Sequence, residues 1–447
     1  MRFGLIFLIL MVASSSLQAQ ERLNLCRCIR YAIDNNLQIK NIAISKKLSQ
    51  ERLSQSRRDR LPDAGFYSGA GISFGKSIDP NTNDIISAGF FNSTYNFSSS
   101  ITLFDGFRMQ KKTDFERFRL NAEEFRLQNA EDELAFDVMT CYYDIQYYKG
   151  LTKIARDQAE ASALWLKMIE RKAEAGLKSV SDIAEVRANL QLEEVHKVQA
   201  ENKLNEAMLN LQKLMNVEKP IDTADIEEAP ESFPDSTGIM LSGIDPDIIF
   251  NSFLLRSPLY LSEEANYKAE TKSLSISRSN FYPAISGGWS IGSGYYETNT
   301  TPDGDVISFA RQLKDNRNQY LGVSLNFPLF TRMANRSAVS VARLNAEQAR
   351  NSMDNTRQNL YFGVCKAVND LKALQKESLQ YVRQQDADSL ALAMAEKKFA
   401  QGLISVVDYY VAKNRFANSQ SQVLRSALQL DMQARLIAFY EGDRFWE

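Results

Sequence analysis

Ala173-Glu174-Ala175-Gly176-Leu177-Lys178-Ser179-Val180-Ser181-Asp182 returns later in the chain as Lys398-Phe399-Ala400-Gln401-Gly402-Leu403-Ile404-Ser405-Val406-Val407-Asp408. Each copy carries Gly-Leu-x-Ser, with an Asp three positions after the serine. A glycine that closes one helix and a serine that opens the next suit a tight helix–helix turn. The step from Phe104 to Gly176 equals the step from Phe330 to Gly402. Equal spacing means that two long helices end at one level and double back there. Upstream, Phe104-Asp105-Gly106 and Phe330-Thr331-Arg332 leave two extended segments, and Pro62 and Pro283 mark their matching entries. The chain is an internal duplication.

Between those landmarks the sequence is helical. From Gly106 to about Ala173 there is no proline and a single glycine, Gly150. Leu120, Leu127, Leu134, Cys141 and Tyr148 recur every seventh residue, with Phe118 and Phe125 on a flanking row. Met353, Leu360, Ala367, Leu374 and Tyr381 do the same in the second half. This spacing is a coiled-coil seam. A helix of ~70 residues would be about 105 Å long, far beyond an ordinary globular helix. A soluble helical bundle is the plain alternative, but at that length a bundle is a tube or a stalk.

Four segments alternate instead. Phe66, Ala70, Ile72 and Phe74 face one way, as do Phe91, Tyr95, Phe97, Ile101 and Leu103. Ile285, Trp289, Ile291 and Tyr295 form the third row, and Leu321, Val323, Leu325, Phe327 and Leu329 the fourth. Glycine, serine, threonine and asparagine occupy most of the intervening positions. Strands with one large apolar face and one small polar face suit a membrane barrel with lipid outside and water inside. A soluble hairpin on a helical core would alternate in the same way. The connections Lys76 to Gly89 and Tyr296 to Asn318 are long and polar, with Asp79-Pro80-Asn81 and Thr301-Pro302-Asp303-Gly304 as turn chemistry.

The N-terminus reads as an address. Arg2, the apolar run Phe3 to Ala13 and the small residues up to Ala19 predict a signal peptide over 1–19, with the mature chain starting near Gln20. No later apolar run reaches the ~18–20 residues of a membrane helix. The expected organisation is therefore a first repeat over 20–216, with a hairpin near 64–104 and long helices over 106–215. A proline-bearing acidic linker follows over 217–246. The second repeat covers 247–447, with a hairpin near 284–330 and helices over 331–440.

Composition removes most other classes. Lys plus Arg is 53 against 55 Asp plus Glu, so no basic surplus favours nucleic acid. The only histidine, His196, sits in the charged helical stretch Glu193-Glu194-Val195-His196-Lys197 and reads as part of a solvated face. Cys26 and Cys28 are too close for an ordinary disulfide and lack a second ligand pair for zinc. Cys141 and Cys365 lie in helical seams as small apolar fillers. No phosphate loop or nucleophile motif is present. The expectation is a chain with no catalytic residues, no cofactor and no metal.

The order helix, hairpin, helix, twice over, with the opening Leu25…Ala32…Asn36-Leu37 and the two Gly-Leu-x-Ser-x-x-Asp tips, resembles the TolC family of outer-membrane efflux ducts. The resemblance implies an α/β membrane protein. In it, four transmembrane strands per chain contribute to a twelve-strand barrel shared by a homotrimer, above a long antiparallel helical barrel in the periplasm. Physics reaches part of this independently, because four strands cannot close a barrel and lipid tolerates no open edge.

The resemblance further implies passive conduction, in efflux or type I secretion. The driving partners would be an inner-membrane pump of RND or ABC type and a periplasmic adaptor (membrane fusion) protein. It places Gly176, Leu177, Ser179, Gly402, Leu403 and Ser405 at the adaptor contact, although the glycines are also what a tight turn needs. It places Asp408 at the narrow inner aperture and Asp182 in the network that closes it. A helix-start role competes for either carboxylate. Val411 and Ile404 stand where the family has a second aperture Asp and a network Arg, so closure would be held differently here. A non-conducting periplasmic or surface coiled-coil protein is the alternative reading.

Overall fold

The computed structural model describes residues 23–78, 84–87, 89–227 and 245–446. The expected signal peptide, the Asp79-Pro80-Asn81 turn and the middle of the expected linker lie outside those residues. Among them no helix is long and apolar enough to cross a membrane.

Two units make up the chain: one holds 1–44, 125–261 and 355–447, the other 45–124 and 262–354. In chain order the elements are α1 (Leu25–Asn35), α2 (Leu37–Arg58), β1 (Gly65–Ser73), β2 (Lys76–Ile78), β3 (Ile85–Ser87), β4 (Phe90–Phe104), α3 (Arg108–Glu174) and α4 (Val180–Met215). The second half repeats the plan with α5 (Pro246–Leu254), α6 (Pro258–Ser279), β5 (Ala284–Tyr296), α7 (Phe309–Asp315), β6 (Asn318–Asn326), α8 (Ala334–Ala400) and α9 (Val406–Glu441). The duplication is metrical: α3 and α8 each have 67 residues, and α4 and α9 each have 36.

The first unit holds two apolar clusters, one centred on the first repeat but joined by Leu428 and Trp446 of the second, the other within the second repeat. Cys28, Ile29 and Ala32 of α1 pack with Ala135, Val138 and Ile145 of α3 and Leu211 and Met215 of α4. Phe250 and Phe253 of α5 pack with Val364, Val368 and Leu371 of α8 and Leu430 and Ile437 of α9. Leu127, Leu134, Cys141 and Tyr148 of the first heptad row join the first cluster, and Leu360, Ala367 and Leu374 of the second row join the other. Burial raises the Cys28 thiol to about 12, in keeping with a packing role. Asn36 separates α1 from α2: its Oδ1 accepts from Gln38 N at 2.8 Å and its Nδ2 donates to Leu214 O at 3.0 Å. Gly150 lies directly against Leu424, so a methyl group there would force the Leu424 side chain to move.

In the second unit the four long strands form one antiparallel sheet in the order β1-β4-β5-β6. Its register carries the functional argument. Phe66 pairs with Phe97, Ile72 with Phe91, Phe97 with Ile291, Trp289 with Leu321 and Ile285 with Leu325. Paired residues point to the same face, so all four apolar rows fall on one side of the sheet. The other side carries the asparagines and most of the glycines and serines, while Ser68, Ser93, Ser99, Ser293 and Gly287 share the apolar face. Asp105 caps α3 as it leaves the sheet, accepting from Arg108 N at 2.9 Å. Gly106 (φ +69°) makes that corner, and a Cβ there would stand 2.7 Å from Tyr282 Cβ.

The connections are more ordered than their polarity suggests. Within 76–89 the two short strands β2 and β3 pair antiparallel. Between β5 and β6 lies the short helix α7, anchored by the buried side chain of Gln312. Its Nε2 donates to Tyr296 O and Ile307 O, both at 2.9 Å, and its Oε1 accepts from Tyr296 N at 3.0 Å. An amide that uses both ends fixes a polar loop without an apolar core.

Candidate functional site: the paired helical tips and the barrel face

Both tips end their first helix in the same way. At Gly176, N–H donates to Ala173 O at 2.9 Å, and Leu177 N–H reaches back to Lys172 O at 2.8 Å. At Gly402 the bonds run to Phe399 O at 3.0 Å and from Leu403 to Lys398 O at 2.9 Å. This pair of bonds is a Schellman motif, which requires a left-handed residue. Gly176 and Gly402 supply it with φ of +73° and +76°, and a Cβ at either would meet only open space. The requirement for glycine is conformational rather than steric.

Three residues later each second helix opens with a capping box. Ser179 Oγ accepts from Asp182 N at 3.1 Å, while Asp182 Oδ2 accepts from Ser179 N at 3.0 Å. In the second tip Ser405 Oγ accepts from Asp408 N at 3.1 Å, and Asp408 Oδ2 accepts from Ser405 N at 3.3 Å and from Ser405 Oγ at 2.7 Å. The serine–aspartate spacing therefore has a local use in both copies. The Ser179 backbone N–H, the largest cause, holds the Asp182 carboxyl below the ordinary carboxylate range, helped by the Ser179 hydroxyl and Lys178. Asp408 is exposed, and one turn on Val411 is 54% exposed.

The tips rest on an aromatic cluster. Phe399 and Tyr409 stack, and Trp165 from α3 packs on both, with centroids at 5.1 and 5.2 Å. Ile404 packs against the same cluster, together with Ile169 and Val186. Lys172 Nζ donates to Ala400 O at 3.1 Å, and Lys178 lies over the Phe399 ring at 5.6 Å. The two hairpins thus meet side by side. Leu177 and Leu403, in contrast, are 74% and 68% exposed.

Behind the tips, the charged stretch around His196 is not solvated throughout: Glu193 is buried to 7% exposure in an ion pair with Lys413 at 2.8 Å. Burial lowers the Lys413 pKa, against the opposing effect of Glu193. His196, in the same stretch, is exposed. No group of three or more His, Cys, Asp or Glu side chains converges as a metal site among the described residues.

Comparison with known proteins agrees with this architecture. Among curated proteins, Protein CyaE of Bordetella pertussis is 21% identical over 393 residues, 86% of this chain and 77% of its own length. Among solved structures, the Campylobacter jejuni CmeC outer membrane channel superposes with a TM-score of 0.81 at 16% identity, over 96% of this chain and 88% of that one. The outer membrane protein VceC of Vibrio cholerae gives 0.77 at 15% identity, over 92% and 95%. The profile of the outer membrane efflux protein family matches residues 28–217 and 249–440, one match for each repeat. The chain belongs to the outer membrane efflux protein family and resides in the outer membrane.

Proposed function

We propose that three copies of this chain close one duct, with their strands in the outer membrane and their helical hairpins on the periplasmic side. The observation that carries the reading is the sheet register. Four apolar rows share one face, and β1 and β6 each keep an unpaired edge among the described residues. Lipid tolerates neither an open edge nor a half-barrel, and copies of the same chain supply the missing neighbours symmetrically. The long helices point the same way: Phe362, Leu379 and Leu390 of α8 are more than half exposed in the single chain. Such side chains favour burial against another copy.

The duct conducts passively what an inner-membrane pump delivers through a periplasmic adaptor. The exposed Leu177 and Leu403, on rigid Schellman corners, are the apolar anchors offered to that adaptor, with Gly176, Ser179, Gly402 and Ser405 setting their presentation. Asp408 lines the narrowest part of the periplasmic aperture, and Asp182 helps to hold the closed tips. These roles rest on the family pattern and on the positions of the residues in the turns.

Purification from outer membranes and reconstitution into planar bilayers tests the reading. The expected result is a detergent-stable trimer that forms discrete channels. A soluble monomer would defeat it, and a trimer without conductance would favour the non-conducting coiled-coil alternative.

A further inference from the structure

The short helix α7 lies on the apolar side of the sheet. Phe309 packs against Tyr95 at 6.1 Å and Tyr295 at 5.5 Å, and both tyrosines belong to the apolar rows. Ser293, on the same side, donates from Oγ to Leu313 O at 2.7 Å. Asn316 Nδ2 donates to Gly294 O at 2.8 Å, and Gln312 closes onto the backbone of Tyr296. Phe309, Gln312, Leu313 and Asn316 follow the i, i+3, i+4, i+7 spacing, so one face of the helix is turned to the sheet. Arg311 and Lys314 stand on the remaining surface, and Arg317 follows just past the helix. All three are exposed.

The level along the strands matters as much as the face. β5 begins at Ala284, shortly after α6, and ends at Tyr296, so α7 sits at the end of β5 remote from α6. The apolar rows stop there in an aromatic group, where Phe91 and Tyr295 lie 6.0 Å apart beside Tyr95 and Phe309. Aromatic residues at the edge of a barrel's apolar band mark the membrane–water interface. Cations beside such a girdle stand at the depth of lipid headgroups. Tyr95 and Tyr295 belong to β4 and β5, the two central strands, whereas the edges open to further copies are β1 and β6. Arg311 pairs with Asp315 at 3.5 Å, but Lys314 and Arg317 have no ion pair among the described residues. Of the other carboxylates in this connection, Glu297 accepts from Phe91 N at 2.7 Å, and Asp303 and Asp305 lie on the separate 301–306 turn.

We propose that the outward surface of α7 binds the anionic phosphate headgroup of a lipid in the leaflet around the barrel, with Lys314 and Arg317 as its contacts. The proposal rests on the reading of the apolar rows as the lipid side. Ammonium and guanidinium donors both suit phosphate oxygens. Phe309, 45% exposed, offers apolar surface to the acyl chain beneath that headgroup. The bonds of Gln312 and Asn316 hold the helix in place beforehand, so binding need not order it. Each basic side chain near an anionic membrane surface contributes about fivefold in affinity.

Native mass spectrometry of the full-length protein, extracted from outer membranes in detergent, tests the site with two lipids. Dioleoyl phosphatidic acid carries a phosphate, and dioleoylglycerol has the same chains without it. Phosphatidic acid should bind saturably and at least about tenfold more tightly. Lys314→Gln with Arg317→Gln should remove that preference. Lys376→Gln with Arg383→Gln takes the same charge from exposed positions on α8 and should leave it intact. Each single substitution on α7 should weaken binding by about fivefold, which keeps the test open if the double variant misfolds. Equal affinity for the two lipids, unchanged binding in a folded α7 variant, or an equal loss in the α8 control would overturn the proposal. A chain recovered soluble without detergent would instead remove the membrane reading, and this site with it.

Discussion

The rings of Phe399 and Tyr409 stack across the second tip, with centroids 5.0 Å apart and planes inclined by 8°. They flank the turn on its incoming and outgoing helices, so the stack ties the two arms together just behind Gly402. Tyr409 is among the largest fully buried side chains in the structure. Tyr409→Ala should cost about 3–5 kcal/mol of local stability, the range for deleting a buried aromatic ring. Hydrogen exchange at residues 399–410 reads that loss, which should be far smaller in the separate cluster around Val364 and Leu371.

At Gly402 the geometry separates conformation from packing. A Cβ meets nothing, so Gly402→Asn, which tolerates a left-handed backbone, should retain export. Gly402→Val should lose about 1–2 kcal/mol at the turn and abolish efflux while the protein still reaches the outer membrane. Drug susceptibility with membrane fractionation checks both variants. Wild-type export by a correctly inserted Gly402→Val protein would end the assignment of this corner to adaptor docking.

Asp408 has two jobs to disentangle, a cap and a proposed charge at the aperture. Two unit charges ~8 Å apart at an effective dielectric of ~20 repel by about 2 kcal/mol, which favours a multivalent cation among three symmetric copies. Asp408→Asn should therefore abolish block by trivalent cations added from the periplasmic side of a planar bilayer. Ser405→Ala removes a hydroxyl partner but keeps the carboxylate, and block should persist. If both variants change block equally, the cap rather than the charge governs it.

Asp182 sets an acid limit on the first tip. Its folded pKa lies below the unfolded value of about 3.9. Its stabilising contribution is thus present above that value and disappears as the pH falls through the lower folded one. Protection of the Ser179 and Asp182 amides should decline below about pH 4. Asp182→Asn, which does not titrate, should show no such decline.

Features with a period were open to sequence reading. The rows Phe91-Tyr95-Phe97 and Leu321-Val323-Leu325 disclosed the sheet, the heptads disclosed the seams, and equal spacing disclosed the two tips. Interactions between distant polar residues were closed to it. Glu193 and Lys413 are 220 positions apart, and each sits among charges that resemble a solvated helix face. Nothing in the local pattern marks Gln312 as buried, because its three bonds go to backbone groups that any sequence would offer. The Ser-x-x-Asp spacing offered a helix-start role for either carboxylate, and the structure has both carboxylates accept from their own serines.

The equal lengths of α3 and α8 make helix length a counted quantity in this protein. Between Leu371 in its core cluster and Phe399 at the tip, removing one residue from α8 would turn everything beyond by about 100° and withdraw it by about 1.5 Å. Phe399 would then leave Trp165, although no contact residue had been altered. A change of seven residues comes within about 20° of restoring the facing side chains, but it shifts one hairpin by two turns relative to the other. Outside the buried and turn positions, mutation can therefore alter these arms in composition more readily than in length, which changes without loss only by matched pairs of heptads.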